Sequence, residues 1–142
     1  MILEICIRNM KIDDYEQVYT LWSETFGVGL NDIDDSEEGI AKYLKRNPNT
    51  CYVAEKTNHI IGAVLSGHDG RRGYISHLAV AKEEQHKGIG SKLLNAVMAA
   101  LKKEGIQKVA LVVFADNEKG NLFWEKQGFT VRKDLIYRNK FI

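Results

Sequence analysis

Apolar and polar positions along the chain repeat with two periods, one typical of helices and one typical of strands. Apolar residues recur three and four positions apart from Tyr15 to Trp22, which predicts a helix. Between Thr50 and Ser66, two β-rich runs flank a short polar turn and predict a hairpin, in which Gly62 marks a bulge or kink. The first half is therefore predicted to contain a strand at 3–8, helices at 13–25 and 36–47, and strands at 50–56 and 60–66.

The second half contains the most regular helical pattern. An apolar stripe over residues 88–104, followed by Gly105, predicts a long helix with a C-terminal glycine. Residues 108–114 are almost wholly apolar, as in a strand covered on both faces. The remaining predicted elements are a strand at 74–80, a helix at 117–127 and one or two strands within 131–142. The order βααβββαβαβ predicts one α/β domain over residues 1–142, with a mixed sheet.

Composition and charge exclude several classes of protein. The chain has 142 residues, one proline and no repeat, which argues against a linker. A net charge of +1 provides no basic excess for nucleic acid. Apolar runs are far shorter than the roughly 20 residues of a membrane span, and no signal peptide is recognisable, so we expect a cytoplasmic protein without a membrane partner. Cys6 and Cys51 stand singly without a CxxC motif, which favours buried thiols over a metal site or a disulfide.

An acidic stretch over residues 31–38 contains five acids and no base, just before the second predicted helix. In one interpretation it is a helix start, with Ser36 as the N-cap and the acids at the positive end of the helix dipole. In the other it is a loop that attracts a cationic substrate. The sequence leaves both interpretations open.

A glycine-containing loop over residues 85–91 leads into the long predicted helix. Backbone N–H groups at a helix start favour anions, and Gly88 and Gly90 carry no side chain to keep an anion away. Lys87 adds a positive charge, and the Ser91 hydroxyl adds a hydrogen-bond donor. The loop is neither a Walker P-loop nor a GxGxxG turn. Alone, it is equally consistent with a pyrophosphate site and with a helix entry that binds nothing.

The surroundings of this loop extend the pattern. The strand that precedes it ends in Leu78-Ala79-Val80, and Asn117 follows the next predicted strand, with Gly128-Phe129 closing the last helix. With these features, the chain resembles the GCN5-related N-acetyltransferase (GNAT) family over nearly its whole length. The turn at 67–73 is also similar to that of small stand-alone bacterial members of the YpeA type. The resemblance implies a mixed, mostly antiparallel sheet with splayed central strands at 74–80 and 108–114, flanked by about four helices.

The resemblance implies acetyl-CoA as co-substrate, no metal, and direct acetyl transfer from the thioester to a primary amine. A backbone N–H near Leu78 or Ala79 would polarise the thioester carbonyl. Residues 78–80 would hydrogen-bond the pantetheine arm, 85–91 would hold the pyrophosphate and Asn117 would contact the other side of the arm. The implied cofactor-binding residues are Leu78, Ala79, Val80, Gln85, His86, Lys87, Gly88, Ile89, Gly90, Ser91, Asn117 and Trp124.

Two positions depart from the family pattern. Trp124 stands where many members place a tyrosine acid, and an indole N–H is no useful acid. Val112 stands where some relatives carry a glutamate base. His77 is then a candidate base, with packing in the sheet as its alternative role, and Tyr137 is a weaker candidate acid. An enzyme that expels the thiolate unaided, an enzyme with a relocated acid and a non-catalytic domain all remain open.

These alternatives give competing hypotheses of function. The first is an N-acetyltransferase with Phe26, Val28, Leu30 and the acidic stretch in the acceptor wall, and this acidity favours a cationic amine. The second is a non-catalytic acetyl-CoA sensor or interaction module. The third is nucleotide binding through the glycine loop. Exposed final strands would allow pairing with a second copy, so the protein is expected to be a monomer or a homodimer.

Overall fold

A five-stranded sheet forms the centre of the computed structural model, which describes residues 4–142; residue 3 of the first predicted strand lies outside them. The strands lie in the order β1-β2-β3-β4-β5. Adjacent strands are antiparallel, except that β5 runs parallel to β4. The mixed, mostly antiparallel sheet is therefore confirmed. The strands are β1 (Ile5–Asn9), β2 (Tyr52–Lys56), β3 (His59–His68), β4 (Gly73–Val80) and β5 (Val109–Ala110).

Helices cover both faces of the sheet. Val18 and Trp22 of the first helix are fully buried on one face, and Leu93 and Val97 of the third are fully buried on the other. The apolar stripes predicted from sequence therefore form two separate cores, one on each face. The helices are α1 (Tyr15–Ser23), which follows a 3-10 turn at Ile12–Asp14, α2 (Glu37–Arg46), α3 (Ile89–Lys103) and α4 (Glu118–Lys126).

Two bulges change which face of the sheet the side chains reach. Ile61 is the extra residue where β3 pairs with β2, next to Gly62, which confirms the predicted irregularity. In β4, two residues oppose a single residue of β3 between Ser76 and Ala79. As a result, Ile75 is buried in one core and Ala79 in the other, although residues four apart in a regular strand share a face.

The predicted strand at 108–114 is wrong in extent. Only Val109 and Ala110 pair, with Gly73 and Tyr74 at the start of β4, and the rest of the segment follows no strand. Beyond Tyr74, β4 and the segment after β5 diverge, so this segment has no neighbouring strand to supply hydrogen bonds. Its apolar residues are not covered on both faces as expected, since Val112 is 57% exposed.

The predicted final strands at 131–142 are also wrong. Within the described residues, this segment carries no strand, and Val131 and Ile136 are largely exposed. A two-residue β5 offers too short an edge for a further strand to pair with. The segment contains apolar residues, but no strand pairing uses them in the described part of the chain.

Three further expectations concern thiols, membranes and metals. Cys51 is buried, as predicted, and this burial raises the pKa of its thiol to about 11. Cys6 is exposed on the edge strand β1, so its predicted burial is wrong: it points away from the core that Ile5 and Ile7 contact. Within residues 4–142, no helix combines the length and apolar composition needed to cross a membrane. No cluster of three or more metal-ligating side chains occurs in the same range.

Candidate active site

The divergence of β4 from β5 opens the sheet at the carboxyl end of β4. There the Ala81 N–H donates to the Ile61 carbonyl at 2.8 Å, and Ala79 pairs with β3. Backbone groups of a strand alternate between its two edges. Leu78 and Val80 therefore present their backbone groups to the opening, while Ala79 faces β3. Of the two N–H groups considered from sequence as carbonyl-polarising donors, only the Leu78 N–H faces the opening.

The glycine loop ends at the N-terminus of α3. Gly88 is the N-cap, with a φ of +81°, and the Lys92 N–H donates the first bond of the helix to the Gly88 carbonyl at 3.0 Å. The N–H groups before Lys92 have no partner within the helix and point outward. A Cβ on Gly88 would meet open space, whereas one on Gly90 would lie 3.3 Å from the Phe123 ring. Gly88 thus keeps the approach to these N–H groups open, and Gly90 allows α4 to pack closely.

Three polar side chains of this loop, those of Gln85, Lys87 and Ser91, contact the protein, whereas His86 is exposed. Gln85 Nε2 donates to the last carbonyl of β4 at 3.0 Å, and Lys87 Nζ lies 3.1 Å from Glu84 Oε1. The Ser91 hydroxyl accepts a hydrogen bond from Gln127 Nε2 at 3.0 Å. These contacts fix the shape of the loop. Apart from the exposed His86 and Lys87, the groups that a ligand could reach are chiefly the backbone N–H groups.

Asn117 immediately precedes α4, and Trp124 lies within the helix. Asn117 is the N-cap, since its side-chain oxygen accepts from the Gly120 N–H at 3.0 Å. Its amide nitrogen lies so close to Gly27 that a Cβ there would collide with it. Trp124 packs edge-on against Phe129, with ring centroids 5.1 Å apart. The packing role weighed for Trp124 from sequence therefore agrees with its surroundings, and the loop after α1 contacts the start of α4.

That loop, which joins α1 to α2, closes one side of the opening. A Cβ on Gly29 would lie 3.1 Å from the ring of Phe114, in the segment that diverges from β4. Of the expected acceptor wall, Val28 and Leu30 are half-buried against the core, whereas Phe26 is 77% exposed. Two residues of this wall are thus packed against the core, and the third, Phe26, projects into solvent.

His77 lies in the β4 bulge with a φ of +55°, a conformation that non-glycine residues rarely adopt. Its Nε2 is 2.8 Å from Asp35 Oδ1, and its carbonyl accepts from Trp22 Nε1 at 3.0 Å. The second oxygen of Asp35 accepts from the Asn31 N–H at 3.0 Å. Of the five acids in the acidic stretch, Asp35 alone is buried, with 5% of its side chain exposed. Sequence reasoning singled out His77 but missed Asp35.

Ser36 is the N-cap of α2, because its hydroxyl accepts from the Gly39 N–H at 3.1 Å. This confirms the helix-start interpretation of the acidic stretch. The same stretch also supplies Asp35 to His77, so its role is not confined to the helix dipole. The sequence does not distinguish Asp35 from the exposed acids around it. Its one distinguishing feature is that it immediately precedes the N-cap Ser36.

Tyr137, the candidate acid, is 67% exposed on the segment after α4. Burial, and then the neighbouring Tyr137 phenol, raise the pKa of Tyr74, which places Tyr137 near the beginning of β4. No hydrogen bond within residues 4–142 joins Tyr137 to His77. The two candidate catalytic residues are thus not brought together.

Comparisons with known proteins identify the family of this chain. The sequence profile of the acetyltransferase (GNAT) family matches residues 15–129. An acetyltransferase of Photorhabdus laumondii is 31% identical over 138 residues, which cover 96% of this chain and 95% of the relative. These matches establish the family. The narrower likeness to the YpeA type stays a prediction.

Solved structures share the fold. Ard1 from Thermoplasma volcanium has a TM-score of 0.81 and 21% identity, over 90% of this chain and 84% of that one. An acetyltransferase from Clostridium acetobutylicum, solved with acetyl-CoA, has a TM-score of 0.74 and 19% identity, over 96% of each chain. AAC(6')-Iy, solved with a bisubstrate analogue, has a TM-score of 0.76 and 17% identity, over 98% and 99%. The chain belongs to the acetyltransferase (GNAT) family and is an acyltransferase.

Proposed function

We propose that this enzyme transfers acetyl directly from the thioester of acetyl-CoA to a primary amine. The observation that carries the proposal is the opening between β4 and β5, toward which strand alternation counted back from Ala79 directs the Leu78 N–H, with the N-terminal N–H groups of α3 beyond it. A ligand with an acyl thioester at one end and a pyrophosphate further along needs both features. They occur along one continuous edge of this fold.

The donor would be held mainly by backbone groups. Leu78 and Val80 hydrogen-bond the pantetheine arm, and the N–H groups of residues 88–91 bind the pyrophosphate. Asn117 contributes its amide N–H from α4, while Trp124 packs behind the arm. Because backbone N–H groups are fixed in place before the ligand arrives, they stabilise the developing oxyanion without reorganisation. In this arrangement the Leu78 N–H is the oxyanion donor.

Loss of the usual tyrosine at Trp124 does not preclude turnover. A thiol with a pKa of about 8.5 is a tolerable leaving group without a general acid. Acetyl transfer then depends on orientation of the amine and the thioester, which contributes much of the acceleration in such reactions. We therefore infer that the thiolate leaves unaided and takes its proton from solvent.

The acceptor would enter beside the loop between α1 and α2, where the acidic stretch favours a cationic amine. The neighbour AAC(6')-Iy, which shares the fold, was solved with the bisubstrate analogue CoA-S-monomethyl-acetylneamine. This supports an amine as the acetyl acceptor. The candidates are polyamines, aminoglycosides and the amines of peptides.

The experiment has two steps, titration of the purified protein with acetyl-CoA and then thiol release with a panel of those amines. Gly88→Glu should abolish binding, since its side chain would stand in the approach to the α3 N-terminus with an unfavourable charge. Gly105→Glu is the matched control. Gly105 has a φ of +84° and open space around it at the other end of α3, so it carries the same strain.

Binding that is lost only in Gly88→Glu, with thiol release on one amine class, supports the proposal and identifies the acceptor class. Equal loss in both variants would mean that strain, rather than the anion site, determines binding. Binding without release across the panel would contradict amine acetylation.

A further inference from the structure

We propose that Asp35 and His77 act together as the proton-accepting unit for the acceptor amine. His77 is the base, and Asp35 is a positioning residue that fixes which ring nitrogen carries the proton. The inference rests on the proposed function, because it assigns the base of that same transfer. It adds a residue that the sequence pattern did not indicate and that lies on the acceptor side of the sheet.

The location of His77 suits a base. It immediately precedes Leu78, whose N–H faces the opening, and its side chain lies on the face covered by the loop before α2. About 18% of the side chain remains exposed, so the ring is not fully sealed from solvent. A φ of +55° is strained for a residue with a Cβ. Such strained residues cluster at functional sites, and here the bulge aims the ring at the loop.

Surrounding groups hold the pair in one geometry. The Trp22 indole donates to the His77 carbonyl and meets the His77 ring edge-on, with centroids 4.9 Å apart. The Tyr15 hydroxyl donates to the Asp35 carbonyl at 2.7 Å. Asn31 donates both its backbone N–H and its side-chain amide to Asp35 Oδ2, at 3.0 and 3.3 Å. Both carboxylate oxygens of Asp35 are therefore committed, one to Asn31 and one to His77.

This geometry assigns the tautomer of His77. A carboxylate only accepts hydrogen bonds, so the proton between Asp35 and the ring lies on Nε2. In the neutral ring, Nδ1 then carries the lone pair. No hydrogen bond to Nδ1 of His77 occurs in the part of the chain that the structure describes. The atom that accepts a proton is thus the one left free of protein partners.

The transfer forms one C–N bond and breaks one C–S bond. The amine nitrogen attacks the thioester carbonyl carbon, forming a C–N bond. His77 Nδ1 takes the surplus proton from that nitrogen, directly or through one water. The C–S bond breaks, and its electron pair leaves on the CoA thiolate, which takes a proton from solvent while His77 releases its own. The products are an amide and the CoA thiol.

Asp35→Asn provides a specific test. The Asn31 N–H still requires an oxygen, so the new amide turns its oxygen to Asn31 and its NH2 to His77. The NH2 donates to Nε2, which forces the proton onto Nδ1 and removes the acceptor. We expect kcat to fall at least 100-fold, the lower end of general-base contributions. The affinity for acetyl-CoA should stay within twofold, because the donor site is not touched.

Nitrogen-15 spectra of histidine-labelled protein follow the tautomer directly. The wild type should show His77 protonated on Nε2, and Asp35→Asn should show it protonated on Nδ1. His77→Gln is the second variant: its amide can still donate to Asp35, so the contact is retained while the base is lost. Asp134→Asn, an equal change of charge at an exposed site, should leave kcat unchanged.

The outcomes separate the two proposals. If the wild type releases no thiol with any amine, the proposed function fails. If the wild type turns over but Asp35→Asn keeps kcat within threefold, or His77 is protonated on Nδ1 in the wild type, the Asp35–His77 inference fails and the proposed function stands. A fall in kcat together with the tautomer change supports the pair.

Discussion

A close contact between α3 and β3 predicts a pair of substitutions that compensate for each other. A Cβ added to Gly62 of β3 would lie 2.9 Å from Leu93 Cδ1 of α3 and 3.3 Å from Ile89 Cγ2. Leu93 is 0% exposed, so its side chain has no free space into which to turn. Gly62→Ala should therefore push α3 away from the sheet. Removing the Leu93 side chain should relieve that clash.

The magnitudes follow from the burial. Leu93→Ala alone removes a fully buried side chain and should cost about 3–4 kcal/mol of unfolding free energy. Gly62→Ala alone overpacks the core by roughly 1–3 kcal/mol, offset by about 0.4–1 kcal/mol from a stiffer unfolded chain. In the double variant, the new methyl group occupies part of the cavity. We expect a total cost of about 3 kcal/mol, below the sum of about 5.

Urea unfolding followed by circular dichroism, on the wild type, both single variants and the double variant, measures this coupling. An interaction energy of about 1–2 kcal/mol in the compensating direction is expected. Single-variant costs that add to within about 0.5 kcal/mol would refute the reasoning. It would mean that α3 does not rest on Gly62 and that the N-terminus of α3 is positioned by other contacts.

Other predictions address titration, thiols and capping. Although burial opposes it, hydrogen bonds from Arg8 and a backbone N–H lower the pKa of Asp14. The ionised Asp14 carboxylate therefore stabilises the folded state above the unfolded pKa of about 3.9, and this stabilisation is lost as pH falls through the lower folded pKa. In urea melts, Asp14→Asn should thus lower the free energy of unfolding at pH 7 and change it little at pH 2. An aromatic disulfide reagent should titrate one thiol, Cys6, in the native protein and both in urea, because Cys51 is buried; two native thiols would contradict this. Ser36→Ala should cost about 1 kcal/mol through loss of the α2 cap, whereas Ser36→Asp should lie within a few tenths of wild type in thermal melts.

Helices and their ends could be predicted because their determinants are local. The predicted helix at 88–104 matches α3 to within one residue at each end, and Gly105 follows it with a φ of +84°. The N-cap role of Ser36 was also correct. Helical periodicity and capping depend on residues three or four positions apart, so the position and the ends of a helix can be predicted from the sequence.

Strand extent could not be predicted in the same way. Residues 108–114 have an apolar run that is typical of a buried strand, yet only two of them pair with β4. A strand exists only where a second chain segment supplies its hydrogen bonds, and the divergence of β4 removes that partner. The bulge at His77 could not be predicted either, since it arises from a shift in the pairing register with β3.

The sequence by itself determined the glycine loop and the succession of helices, because each rests on residues close together along the chain. It also determined the family, because the motifs that carry the resemblance are each short, although the family match extends over residues 15–129. Only the tertiary structure decided which N–H groups face the opening and which acid of the acidic stretch is buried. Asp35 and His77 are 42 residues apart and meet because a bulge in β4 and the loop before α2 converge on the same face. Contacts of that kind are set by how whole elements pack, and no local pattern encodes them.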